Sequence, residues 1–417
     1  MLELIWPGKE EAIALCHVPP EKNWAEWHPV SIAPVVIQPE QLADHRIYAA
    51  DNLEALKLLK SASRRYDVIY IDPPYNTGGT FTYKDKMSSS GSGSSSVWLN
   101  SIYPRMRLAR DVLDDKGILF VSIDDNEVCH LLTILREIFG RENHLGTIKW
   151  RRKRKPSFLD KHLSSTLEYV LVFAKNSLVC PRLLGQSMEE ITRPVLNASN
   201  KIVERLIPKM MAAHCAEGTY LPGTYKNRSL SFSLLDPLVV GEGRVMEDAR
   251  VVGPFRIAQE QWSATGFITR NFGLRRHVLE SEKKRRHAVD DGTNWPTNED
   301  AQLELKDVFG QERVFDFPKP VGLLTELLSM ISHCDVDRPQ RCLDFYAGSG
   351  SLLIAALEQS KRDGVCRSVD LVQNRELVRG NASQQFSDIA EICAHRVTVD
   401  SLRRGFSPSF AFLEIGQ

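Results

Sequence analysis

Apolar residues along this chain gather into short runs of two kinds. Strand-like runs stand at 46–50 (RIYAA), 67–71 (DVIYI), 117–123 (GILFVSI), 167–173 (LEYVLVF), 341–346 (RCLDFY) and 365–371 (VCRSVDL). Between several of them the spacing changes to the three-to-four period of an amphipathic helix. NLEALKLLK sets Leu53, Leu56 and Leu59 on one stripe, and VWLNSIYPRMRLARDVL, EVCHLLTILREIF, VGLLTELLSMIS and SLLIAALEQSKR repeat the pattern. Near-continuous apolar strands alternating with such helices predict an α/β fold, a mostly parallel sheet with helices on both faces.

From about 176 to 310 the alternation is lost, and basic and aromatic residues are interspersed with Gly and Pro at no regular period. This predicts a second domain of 176–310 set between residues 1–175 and 311–417. The low-complexity tract SSSGSGSSS at 88–96 has nothing to bury and reads as a loop, either hanging over Tyr75 or serving as a plain linker.

Composition narrows the class only a little. With 417 residues, 42% apolar and 25% charged, the chain has an ordinary globular make-up and room for one large domain or two to three modest ones. No apolar run approaches the roughly 20 residues of a membrane span, and Glu3, Glu10 and Glu11 stand where a signal peptide would be basic. Eight scattered cysteines without a CxxC pair predict reduced thiols, a cytoplasmic protein and no metal. Fifty-three basic residues balance fifty-three acidic ones, so net charge announces no nucleic acid. Local charge says more: KWRRKRK at 149–155 and EKKRRH at 282–287 are either solvated loops or sets of phosphate contacts.

Two stretches carry chemistry. In RCLDFYAGSGSLLIAAL an apolar strand runs into Asp344, and Gly348 and Gly350 come just before a helix, where glycine lets backbone approach a ligand. The next strand reaches Asp370, twenty residues after Gly350, where an acid can accept bonds from ribose hydroxyls. In DVIYIDPPYNTGG a strand stops at once in Asp72-Pro73-Pro74-Tyr75. The prolines fix φ and remove two donors, which leaves a rigid, acceptor-rich corner with an aromatic face, suited to a flat ring bearing an amino group. The alternative is a Pro-Pro turn with Tyr75 packed inward. Ligands gather at the carboxyl ends of parallel strands, so both loops are expected in one crevice.

These residues resemble those of the amino-methyltransferases of DNA. DPPY is similar to their catalytic motif and DFYAGSG to their S-adenosylmethionine loop, in the order of the β group. ADNLEAL (50–56), WLNSIYPRMRLARDVL (98–113), SIDDNE (122–127), LEYVLVFAK (167–175) and FPKP (317–320) extend the likeness to adenine-specific methylases such as the modification subunits of type III restriction systems. Tyr346 stands where a second Phe is usual, and Leu167 where His often precedes Glu-Tyr. The resemblance implies a Rossmann-like methyltransferase sheet with an inserted target-recognition domain. It implies that Asp72 and the Pro73 carbonyl accept the amine of a flipped adenine, and that Tyr75 stacks on it. It also implies cofactor contacts from Asp344, Phe345, Gly348, Ser349, Gly350, Asp370, Lys319, Pro320 and Asp51. In that context Arg151, Arg152, Lys153, Arg154 and Lys155 become phosphate contacts of double-stranded DNA, with Arg270, Arg275 and Arg276 as further candidates. Asn294 and Trp295 are base readers or core. The implied partners are a restriction subunit and a second copy of the chain. Cytosine N4 methylation and a non-catalytic DNA-binding subunit are the alternatives. A nicotinamide dehydrogenase would leave DPPY unexplained, and GxGxxG does not fit.

Overall fold

A computed structural model of the chain describes residues 3–22, 27–29, 45–77, 94–156, 163–187, 192–227, 230–277, 285–311, 314–331, 338–378, 380–406 and 410–415. The chain divides into two compact units, Met1–Gly185 with His287–Gln417, and Gln186–Arg286.

The first unit is built on one sheet. Its strands among the described residues are β1 (Trp27–Pro29), β2 (His45–Ala49), β3 (Tyr66–Ile71), β4 (Leu113–Ile123), β5 (His144–Arg151), β6 (Leu167–Ala174), β7 (Asp291–Gly292), β8 (Gln340–Asp344), β9 (Arg367–Gln373) and β10 (Phe410–Ile415). They lie in the order β1-β10-β2-β9-β8-β3-β4-β6-β5-β7. The central strands β10, β2, β9, β8, β3 and β4 are parallel, while β6 runs antiparallel to both β4 and β5. The chain leaves β8 toward β9 and leaves β3 toward β4, in opposite directions. Their shared boundary is therefore the switch point where open α/β sheets bind ligands.

Both faces of the sheet are dry, which is why its strands read as unbroken apolar runs. Ile69 and Ile71 of β3 face helices Asn52–Ser61, Ser94–Val112 and Val128–Phe139. Val68 and Tyr70 face helices Val321–Ser329, Ser351–Asp363 and Ile389–Arg403. Each fully buried side chain of this size contributes roughly 1.5–3 kcal/mol. No helix among the described residues is long and apolar enough to cross a membrane.

The second unit carries a seven-stranded and a four-stranded sheet of two- to five-residue strands. Trp262, Phe232 and Phe255 sit in its core. It is narrower than the expected 176–310. Residues 287–310 join the first unit: β7 pairs with Lys149 and Trp150 of β5, and Trp295 packs on the sheet's core. A two-residue strand and a helix opened by the Thr297–Asp300 capping box are too brief and polar to show as periodicity. The Ser/Gly tract also differs in part, because Ser94–Ser96 begin helix Ser94–Val112. The rest of that tract and the first half of EKKRRH (282–284) lie outside the described residues. Cys366 is exposed ahead of β9 rather than inside a strand.

Candidate active site

The Asp-Pro-Pro-Tyr corner leaves β3 directly after Ile71. Two prolines in succession cannot continue a central strand, so the chain turns out of the sheet at the ligand-binding edge. Trp98 Nε1 donates to the Pro74 carbonyl (2.7 Å), which ties the corner to helix Ser94–Val112. Asn76 follows with φ 59° and donates to the buried Glu127 carboxylate (2.8 Å). The corner is thus fixed on both flanks, and the Tyr75 hydroxyl donates to Asp72 Oδ1 at 2.6 Å.

A compact charge cluster surrounds that bond. Lys319, buried beside the corner, places Nζ 3.0 Å from Asp72 Oδ1, 3.1 Å from Glu168 Oε2 and 2.9 Å from the Tyr75 oxygen. An ammonium has three protons, and these contacts use them all. Arg152 sits 3.5 Å from the other Glu168 oxygen. Burial pushes the Asp72 carboxyl above the usual range; the Lys319 charge opposes this and Glu168 adds to it. Burial by itself would lower the Lys319 ammonium, but Asp72 and Glu168 outweigh it and hold it above its ordinary value. The Tyr75 hydroxyl is pushed well up, first by burial and then by the two carboxylates.

The glycine loop leaves β8 beside the corner. Gly348 (φ 53°) and Gly350 (φ 80°) occupy the left-handed region. A Cβ at Gly348 would meet Phe315 at 3.1 Å, and one at Gly350 would meet Val397 at 2.7 Å. Gly348 N donates to Gln373 Oε1 (2.8 Å) at the end of β9. From behind, the buried Arg396 donates to the hydroxyls of Ser349 (2.7 Å) and Ser351 (2.6 Å). Ser351 in turn donates to the Lys319 carbonyl (2.7 Å), joining the loop to the charge cluster. Asp344 accepts from Tyr346 N (2.9 Å), and burial holds its carboxyl well above the usual range.

One cleft takes in both loops. Asp72, Pro73, Pro74, Tyr75, Lys319, Asp344, Phe345, Gly348 and Ser349 all line it, and so does Asp51. Asp51 also caps helix Asn52–Ser61 (2.8 Å to Leu53 N). At about 280 Å³ the cleft is at the small end of the ~300–1,000 Å³ typical of small-molecule sites.

Some expected residues are elsewhere. Asp370 is in the middle of β9, buried, accepting from the Tyr66 hydroxyl (2.6 Å) and paired with Arg46 (3.5 Å). It does not line the cleft, because the strand runs three residues further and delivers Gln373, Asn374 and Glu376 instead. Pro320, the N-cap of helix Val321–Ser329, and Gly350, backed by Val397, are not among the residues that line the cleft. The basic run is not one phosphate-facing stripe. Arg152 turns into the cleft to Glu168, and Arg154 pairs with Asp300, while Arg151, Lys153 and Lys155 are at least partly exposed. Sequence reasoning passed over Glu168, Gln373 and Glu376. Glu168 had a signal, a lone acid inside the apolar strand LEYVLVF, where burial demands a partner.

A doubly wound sheet with a glycine loop and an aspartate–aromatic corner side by side at its switch point is a Rossmann-like methyltransferase architecture. Residues 66–366 match the N6/N4 DNA methylase family, described as DNA methylase, and the chain belongs to that family. It is 29% identical to the StyLTI Mod subunit of a type III restriction-modification enzyme from Salmonella typhimurium, over 86% of this chain and 57% of that protein. Likeness to the EcoPI Mod subunit of Escherichia phage P1 is 27%, over 94% of this chain and 67% of that one. The type II methyltransferase M.KpnI of Klebsiella pneumoniae is 26% identical, over 81% and 82% of the respective chains. The chain therefore spans little more than half of the first of these relatives.

Proposed function

We propose that this chain is a site-specific DNA methyltransferase that methylates N6 of an adenine flipped out of double-stranded DNA, with S-adenosyl-L-methionine as donor. The observation that carries this reading is the convergence of Asp72, Tyr75 and the Asp344–Ser349 segment on one cleft. The loop fits a nucleoside-containing group: Gly348, at positive φ, brings backbone to the cleft wall, and Gln373, Asn374 and Glu376 close the adjoining wall. When bound, S-adenosylmethionine supplies an electrophilic methyl group.

The protein's part is to make a poor nucleophile competent. The lone pair of an exocyclic amine is delocalised into its ring. Asp72 and the Pro73 carbonyl accept the two N–H bonds, pull the nitrogen toward a tetrahedral shape and aim its lone pair, so positioning and fixed charge do most of the work. Tyr75 offers its ring as a stacking face for the extruded base. Arg151, Lys153 and Lys155 meet phosphates, and the 186–286 unit selects the sequence. Asp in the first position of the motif supports adenine. By analogy with relatives named as subunits of restriction-modification enzymes, a restriction subunit joins the proposal; a second copy of the chain and a cytoplasmic setting are carried over from the resemblance alone.

Tritium transfer from labelled S-adenosylmethionine to duplex DNA tests this reading, with Asp72→Ala and Tyr75→Ala alongside. Incorporation by the parent and loss in both variants is the expected result. Equal incorporation by all three would reject the site, and methylcytosine in the product would reject the adenine assignment.

A further inference from the structure

The sequence placed Lys319 among the groups that hold the cofactor, but its side chain goes to the corner instead. All three of its protons are spent on Asp72, Glu168 and Tyr75, and its ammonium lies 5.0 Å from the centre of the Tyr75 ring and 5.5 Å from that of Trp150. Glu168 is buried in the middle of the cluster, reached by Lys319 on one oxygen and Arg152 on the other. Two carboxylates and two cations therefore close a neutral set around the atom that must accept the substrate amine.

We propose that Lys319 and Glu168 form a positioning pair that keeps Asp72 ionised and aimed for the incoming amine, an inference that rests on the methyltransferase reading above. A protonated Asp72 could not accept its electron-poor N–H bond as a carboxylate does, so its charge state decides whether the nitrogen is activated. The groups facing Asp72 are Tyr70 and Tyr75 from its own segment, Glu168 from β6, Lys319 from the segment before helix Val321–Ser329, and Asp344 from β8; Arg152 acts on it through Glu168. Of these only Lys319 brings a positive charge into contact with Asp72. Glu168 has the opposite direct effect, repelling Asp72, and its use is to hold the Lys319 ammonium charged and pointed. Ser351, bonded to the Lys319 carbonyl, fixes the backbone from the glycine-loop side. The same lysine thus sets the acid through its side chain and touches the cofactor loop through its carbonyl.

The pair predicts a pattern that a merely structural role would not give. In Lys319→Gln the acid limb of kcat for methyl transfer moves to higher pH by about one unit or more, roughly tenfold lost per unit below the limb. Activity returns as pH rises, and KM for S-adenosylmethionine changes less than kcat. Lys319→Arg keeps the charge and lies between the parent and the glutamine variant. Adding Glu168→Gln to Lys319→Gln removes the repelling carboxylate and moves the limb back down, so the double variant outperforms the single one at neutral pH. A loss in Lys319→Gln that is the same at every pH, or one carried by KM for the cofactor, would overturn the inference while leaving the methyltransferase reading intact. The carboxyl 13C titration of Asp72 in the ligand-free protein, assigned with Asp72→Asn, reads the pair without any turnover. An upward shift in Lys319→Gln is expected, and an unmoved midpoint would overturn the proposal whether or not the parent methylates DNA.

Discussion

The two units spend their charged residues differently. In the first, Glu168, Lys319 and Asp344 are buried around the partly exposed Asp72 at one sheet edge. In the second, arginines serve the fold: Arg275 donates to the hydroxyl (3.0 Å) and carbonyl (2.8 Å) of Thr192, Arg205 to the Ile257 carbonyl (3.3 Å), and Arg250 pairs with Asp236 (2.8 Å). Arg276 is buried outright, so neither it nor Arg275 is the surface reader expected from the sequence, whereas Arg270 stands exposed on a turn. Chemistry sits in contiguous residues because a parallel sheet delivers strand ends to one place. A surface assembled from many short antiparallel strands has no such focus, and whatever it recognises is distributed.

The largest effect should come from the first unit. Asp72→Ala is expected to lower methyl transfer by at least about 10³-fold, some 4 kcal/mol of barrier, because it removes the acceptor that activates the amine. Binding of S-adenosylmethionine, followed by calorimetry, should persist, and DNA affinity should change little. A variant that lost cofactor binding as well would show that the corner and the loop are one structural unit rather than two functions on one edge.

Trp262→Ala attacks the other side of the comparison. Trp262 is fully buried in the second unit's core, and truncating such a residue removes about 3–5 kcal/mol. Thermal unfolding followed by hydrogen exchange should show protection lost across 192–277 while strands β2, β3, β8 and β9 keep theirs. Cofactor affinity should hold as well. Equal loss in both units would mean that they fold as one.

A smaller change is expected when Lys153 and Lys155 are both replaced by Gln. If they meet phosphates, DNA affinity falls several-fold, alike on all sequences, and the slope of log K against log salt becomes shallower by up to about 2. The set of methylated sites should not change. Arg154→Gln should do less to binding, since Asp300 already holds its guanidinium.

Legibility in the sequence follows the same division. The parallel strands could be read because burial on both faces leaves them mostly apolar; Val68, Ile69, Tyr70 and Ile71 of β3 alternate between two dry layers. The corner and the loop could be read because their constraints are local: two prolines, and two glycines at positive φ. What escaped depends on long-range partners. Whether Asp370 or Gln373 reaches the cleft is decided by where β9 stops, and strand ends are poorly marked. That Arg152 serves Glu168 rather than a phosphate depends on the pairing of β5 with β6, which no short motif records. The outermost strands β1 and β7 were missed for a related reason, being only three and two residues long and paired with residues far away in the chain.

The smallest effect expected is one of sign. Asp124, at the end of β4, is raised to about 6, first by burial; bonds from Asn126 oppose the shift and the Glu168 charge adds to it. A carboxyl whose folded value exceeds its unfolded one favours the fold when protonated. That contribution is complete below about pH 4, is lost as pH rises through about 6, and stays lost above. Asp124→Asn cannot ionise, so it escapes the loss. It also gives up part of the 2.8 Å bond from the Asn126 side chain, which leaves a net gain of about 1 kcal/mol at pH 7.5 out of the roughly 3 kcal/mol the shift would allow. At pH 4.5 the variant should be no more stable than the parent. Melting curves at the two pH values check the crossing, with a probe on the second unit expected to stay still. A variant less stable than the parent at both would mean that Asp124 is needed as a charge, and that the neutrality around the Lys319 cluster extends one strand further.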